Sequence, residues 1–229
     1  MIALINKEIA EQFESVTKIP TLPLNKYSKL DLPVSSHADM LLCVIDKTIF
    51  CYNDYYEENK EIFNQINVYE IIKTEHLCQS KYPYDIGLNV LVIGKRIFCK
   101  IEHTAVEIIN YASANGYEII DVKQGYSACS TLVIDENTAI TSDVCIYNAL
   151  IREKIQALLV TTNGIKLTGY NCGFVGGSGC ILGKNAYFFG DITKHSDYDK
   201  IYSLLNEKNI SILSVLAGDV SDFGGVKIL

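Results

Sequence analysis

LLCVIDKTIFCYND (41–54), LVIGKRIFCKIE (91–102), LVIDENTAITSD (132–143) and CILGKNAYFFGD (180–191) follow one pattern: an apolar run, a short polar turn, a second apolar run and a closing acid. Two apolar runs about a tight polar turn read as a β-hairpin. Helically spaced residues follow each hairpin: Asn59, Ile62, Phe63 and Ile66; Ala105, Ile108, Ile109 and Ala112; Ile146, Ala149 and Leu150; Tyr198, Ile201, Tyr202 and Leu205. A third apolar run then closes each unit: VYEIIKT (68–74), YEIIDV (117–122), ALLVTTN (157–163) and ISILSVL (210–216). Their β-branched residues suit a strand, and reaching it over a helix makes it parallel to its neighbour. The unit is ββαβ. Asp54, Glu102, Asp143 and Asp191 fall where the helices begin and read as caps.

The two ends of the chain complete a fifth unit. VKIL (226–229) reads as its first strand, and IALI (2–5), KEIAEQFESV (7–16) and IPTLPL (19–24) read as its second strand, helix and third strand. First strands then begin near residues 41, 90, 131, 180 and 226, and the period of roughly 40 to 50 residues also holds across the ends, as a closed array requires. The expected fold is a five-bladed α/β propeller. It is read as a single domain over residues 1–229, its fifth unit split between 226–229 and 1–25 and closed by pairing of the terminal strands.

Composition narrows the function. The net charge of −7, with acids scattered along the chain, leaves no basic stripe for nucleic acid and no membrane-seeking face. Lys7, Glu8, Glu11 and Glu14 interrupt the N-terminal apolar residues, so no secretory signal is read and a cytoplasmic location is expected. Eight cysteines without a C-x-x-C pair read as reduced, mostly packed residues. GSGCILGKN (177–185) lacks the glycine spacing and terminal Ser or Thr of a phosphate loop. Asp191, His195 and Asp197 carry metal-capable atoms, but their position at a helix start reads as capping. No metal or cofactor is expected.

Five such units resemble the pentein superfamily, the guanidino-group-modifying enzyme fold, over essentially the whole chain, and more specifically a short branch of it without insertions. The superfamily includes arginine and agmatine deiminases, dimethylargininases and amidinotransferases, along with non-catalytic ring proteins. In such a ring the loops that enter the first strands face the axis. Here these are SSHADM (35–40), YDIG (84–87), GYSACS (125–130), GFVGGSG (173–179) and SDFGG (221–225). His37-Ala38-Asp39 resembles the deiminases' His-x-Asp, and on a strand the one-residue spacing would put both side chains on one face. Cys129, two units later, resembles the nucleophilic cysteine. The resemblance implies thiolate attack on an amidine or guanidine carbon, with His37 moving protons and carboxylates holding the cation.

GFVGGS looks like the superfamily's Phe-x-Gly-Gly-Asp, with Ser178 in place of the acid. Asp222, in the next loop, is the candidate to replace it, and Ser178, Phe174 and Gly177 complete the expected substrate contacts. Two functions follow: a cysteine-dependent hydrolase or amidinotransferase acting on a small carbon-nitrogen compound, or a catalytically silent ring that recognises a metabolite or protein through its axial loops. A small-molecule partner at the axis is expected, and homo-oligomerisation is left open.

Overall fold

Residues 1–229 are described by the computed structural model, and their strands form five three-stranded sheets of one plan. Four contain a hairpin continuous in sequence: Leu42–Ile45 with Thr48–Tyr52, Leu91–Ile93 with Arg96–Cys99, Thr131–Asp135 with Thr138–Thr141, and Gly179–Leu182 with Asn185–Phe188. The second strand of each hairpin also pairs, in parallel, with a returning strand: Glu70–Thr74, Glu118–Asp121, Gln156–Leu159 or Ser211–Ser214. A parallel return needs a crossover, which the amphipathic helices Val106–Ala114, Val144–Arg152 and Tyr198–Glu207 supply in three units. In the remaining unit the crossover is broken into short turns over residues 53–66, because Asn59 leaves helical geometry and its amide donates to the Tyr55 carbonyl.

The fifth sheet joins the ends of the chain. Val226–Ile228 pairs antiparallel with Ala3–Asn6, placing Ala3 opposite Ile228, Leu4 opposite Lys227 and Ile5 opposite Val226. Ala3–Asn6 pairs in parallel with Thr21–Leu24 across the helix Ala10–Thr17. Beyond the strands, Ile2 and Leu229 exchange backbone hydrogen bonds of 3.0 and 2.9 Å. The split ββαβ unit read from the sequence is thus present.

Residues of all five first strands line one cavity of about 480 Å³, so the sheets stand round a common axis with these strands innermost. The second strands are buried and the returning strands are part-exposed, which gives each sheet an inner and an outer edge. Apolar side chains fill the space between neighbouring sheets and their helices, with Phe50, Phe98 and Phe188 fully buried. Of the four acids read as caps, Asp143 accepts from the Cys145 and Ile146 amides and Asp191 from that of Thr193. Asp54 instead accepts from the Tyr27 hydroxyl and the adjacent Tyr55 amide, while Glu102 lies within a short 3-10 turn whose cap residue is Lys100. No helix is long and apolar enough to cross a membrane.

Because the ends are paired neighbours, the ring should tolerate being opened elsewhere. A circular permutant with Leu229 joined to Met1 through Asn-Gly, and new ends in the exposed turn between Asp135 and Thr138, is expected to retain the parent's far-ultraviolet circular dichroism and one cooperative melt. A permutant without cooperative melting would contradict closure through the terminal strands.

Candidate functional site

His37 and Asp39 enter the site from a single turn of helix, Ala38–Leu41, for which His37 is the cap residue. The strand expected at this position begins only at Leu42. This corrects the strand read from the His-x-Asp spacing: His37 is extended and Asp39 lies in the turn of helix that follows it, so the two are not alternate residues of one strand. His37 lines a cavity of about 260 Å³, whereas Asp39 lines the axial cavity between the first strands. Both Asp39 carboxylate oxygens are buried without a hydrogen-bond partner.

Cys129 lines the 260 Å³ cavity with His37 and Asp222. Its position is set by Asn89, which is 1% exposed and whose amide nitrogen donates to Cys129 Sγ at 2.9 Å and to the Asp39 carbonyl at 3.1 Å. The Asn89 Oδ1 accepts from the Ala128 amide at 2.8 Å, so one side chain ties together the loops carrying Asp39 and Cys129.

Asp222 arrives from the loop before the terminal strand. Its Oδ2 accepts from the Phe174 amide and its Oδ1 from the Gly224 amide, both at 2.9 Å, and Oδ1 lies 3.8 Å from His37 Nδ1. Glycines permit this convergence. A Cβ on Gly177 would fall on the Asp222 carboxylate, and one on Gly224, at φ +79°, would fall on His37. Gly177 is therefore the surface against which the Asp222 carboxylate packs. Ser178 is removed from the cavity: it is fully buried, and its hydroxyl donates to the Val175 carbonyl at 2.8 Å. As a substrate contact Ser178 is thus corrected, its hydroxyl being committed to the turn. Phe174 does line the cavity, with Tyr126 at 6.2 Å between ring centres and Tyr170 also in the wall.

Two residues that the sequence reading passed over belong here. Asn89 follows the YDIG loop as a lone polar side chain among apolar residues, a pattern that marks a buried amide with partners to satisfy. Asp85, inside that loop, is 4% exposed and lines the cavity; its Oδ2 accepts from the Tyr126 hydroxyl at 2.7 Å, while its Oδ1 has no partner. Outside the site, the His195 ring engages the Thr161 carbonyl and the Asp197 amide, and Asp197 accepts from the Thr161 amide and Lys200.

Burial dominates the electrostatics. It pushes the Cys129 thiol well above its ordinary range, and the Asp39 and Asp222 carboxylates push the same way, against a smaller pull from the Asn89 amide. Burial also raises the Asp222 carboxyl to about 6, with His37 opposing and Asp39 reinforcing the rise. Asp85 is raised by burial against the pull of the Tyr126 hydroxyl.

The ring of five ββαβ units has the pentein fold. Residues 3–227 match the family described as "Family of unknown function (DUF6873)", and the chain belongs to it. No curated protein sequence matches. Among solved structures, the chain is similar to a dimethylarginine dimethylaminohydrolase solved as an adduct with 4-chloro-2-hydroxymethylpyridine, at TM-score 0.59 and 8% identity over 94% of this chain and 92% of that one. It is also similar to the inosamine-phosphate amidinotransferase of Streptomyces griseus, at TM-score 0.56 and 11% identity over 92% and 75%. The agmatine deiminase of C. jejuni aligns at TM-score 0.54 and 12% identity over 94% and 74%. At these identities the likeness concerns the fold.

The packing of Asp222 on Gly177 is directly testable. Gly177→Ala is expected to lower stability by about 1–3 kcal/mol in urea denaturation, the range for forcing atoms into a filled site. Unchanged stability would mean that the carboxylate is free to move away.

Proposed function

We propose that the 260 Å³ cavity binds a small amidine- or guanidine-like cation and that Cys129 attacks its central carbon, as in a hydrolase or amidinotransferase. The observation that carries this reading is the pair of buried carboxylates acting on the Cys129 thiol: Asp222, which lines the cavity with Cys129 and His37, and Asp39, whose oxygens have no hydrogen-bond partner. A buried charge without a partner is strongly unfavourable, and a planar cation with several N–H donors is the group that relieves it. Asp222 supplies a second carboxylate against Gly177, where the superfamily's motif would carry an acid at 178.

A bound cation also resolves the state of the thiol. Burial and the neighbouring carboxylates hold Cys129 protonated, and the ligand's positive charge offsets them, so the thiolate forms only when substrate is present. The S–C bond then forms as the C–N bond to the leaving amine breaks, and the thiol proton departs on that amine by way of His37. Water adds to the carbon, the C–S bond breaks, Sγ regains a proton and the product leaves as a carbonyl. An acceptor amine in place of water gives amidino transfer.

A second reading keeps the binding and omits the chemistry. The raised Cys129 thiol and the committed Ser178 hydroxyl favour it.

Chloroacetamidine, a cationic alkylating agent, separates the two. Expected is labelling confined to Cys129 by peptide mass spectrometry, with neutral iodoacetamide reacting poorly there at pH 7, and a rate roughly a hundredfold lower in His37→Ala. Equal, slow labelling by both reagents would leave the silent ring as the better reading. The pH dependence has a definite sign: a cation binds the carboxylate form of Asp222, so affinity for benzamidine should rise as pH increases through about 6 and then level off. In Asp222→Asn the calorimetric titration should be weaker and should lack that step.

A further inference from the structure

Asn89 does more at Cys129 than tie two loops together. Its Oδ1 accepts from the backbone amides of Ala128 at 2.8 Å and Cys129 at 3.4 Å, which occupies both lone pairs. A flipped amide would set N–H against N–H there, so the Nδ2 group is held toward Sγ. That nitrogen has two hydrogens and three acceptors in reach: the Asp39 carbonyl at 3.1 Å, Met40 Sδ at 3.3 Å and Cys129 Sγ at 2.9 Å. The carbonyl is the strongest of the three acceptors and takes one hydrogen. The two sulfurs share the other.

Met40 is 1% exposed, and its Sδ lies 3.9 Å from Cys129 Sγ in geometry for an S–H donor. It accepts from the thiol and has no proton to accept from the thiolate. Asn89 has the opposite preference, because an N–H bond to an ionised acceptor is the stronger one. The titratable groups lining the cavity with Cys129 are His37, Asp85, Tyr126, Tyr170, Cys172 and Asp222, and Asp39 acts on the thiol by its charge. None of them donates a hydrogen bond to Sγ; Asn89 alone does.

We propose that Asn89 and Met40 are paired positioning residues for Cys129: Met40 Sδ holds the thiol proton, and once that proton leaves by way of His37 the hydrogen that Asn89 shared between two sulfurs passes wholly to the Cys129 thiolate. This rests on Cys129 as the reacting atom of the function above and adds the residues that set its ionisation. The two act in opposite senses. Met40 favours the thiol and Asn89 the thiolate.

Two variants of the full chain should therefore move in opposite directions. Met40→Leu keeps the volume and removes the acceptor, so iodoacetamide should alkylate Cys129 roughly twofold to fivefold faster at pH 7, followed by peptide mass spectrometry. The S–H stretching band of Cys129, isolated by Raman difference against Cys129→Ala, should move to higher wavenumber in the same variant. Asn89→Asp keeps the oxygen that accepts from Ala128 and removes the donor, so its rate should fall at least tenfold. Iodoacetamide is neutral and needs no cation site, so equal labelling by it and chloroacetamidine would remove the function above without touching this pair. A slower or unchanged rate in Met40→Leu would overturn the pair, as would parental labelling in Asn89→Asp. A band that stays in place would also overturn it, and one that falls to lower wavenumber would do so by giving the proton to the Asp39 carboxylate. Should Asn89→Asp lack a cooperative melt, the rate and the band in Met40→Leu decide alone.

Discussion

Between Ile2 and Leu229 two backbone hydrogen bonds join segments separated by the whole length of the chain, and the ring closes through them. The adjoining ladder, Ala3 to Ile228 through Ile5 to Val226, fixes the register of the fifth sheet. Register decides which face of a strand meets the core, since a slip of one residue turns every side chain over. Asp222 lies only four residues before that ladder, and the Gly177 carbonyl accepts from the Phe223 and Gly225 amides on the way to it. The placement of the Asp222 carboxylate beside His37 thus descends from a pairing at the edge of the sequence.

The site is assembled from loops rather than from a rigid surface, and its precision comes from two unlike devices. Glycines remove the side chains that would keep the loops apart: Gly176 passes close to the backbone carbonyls of Ala128, Cys129 and Thr131, and Gly177 meets Asp222. Asn89 then supplies hydrogen bonds in several directions where the loops meet. Truncating Asn89 would leave buried polar groups unmatched, at about 1–3 kcal/mol each, while enlarging a glycine would force the backbones apart. Close approach and its fixation are therefore encoded separately.

The architecture was legible because it is repeated. Four hairpins with the same pattern fixed the period, and the period predicted the sheet shared by the two ends. Phase along the ring also singled out the loops carrying His37, Cys129, Phe174 and Asp222, which line one cavity. What was lost is local. One helical turn at Ala38–Leu41 separates His37 from Asp39, and nothing in the His-x-Asp spacing distinguishes it from a strand. The hydroxyl of Ser178 is consumed by Val175, three residues away, a turn contact that residue type alone does not reveal. Asp85 was passed over because an acid in a loop ordinarily reads as solvated, and its burial depends on Tyr126, forty-one residues further along.

The buried carboxylates have a thermodynamic consequence. Asp222 takes up its proton near pH 6 in the folded chain and near 4 when unfolded, so the native state binds the extra proton between those values. Its contribution to stability is full below that interval and is lost as pH rises through it. Both Asp39 oxygens and one Asp85 oxygen are buried without a hydrogen-bond partner in the protein. A ligand that neutralises them binds only the folded form and so adds to folding free energy by mass action. Binding at these groups thus raises resistance to heat, and the melting temperature becomes an assay that can rank unknown metabolites without any knowledge of the reaction.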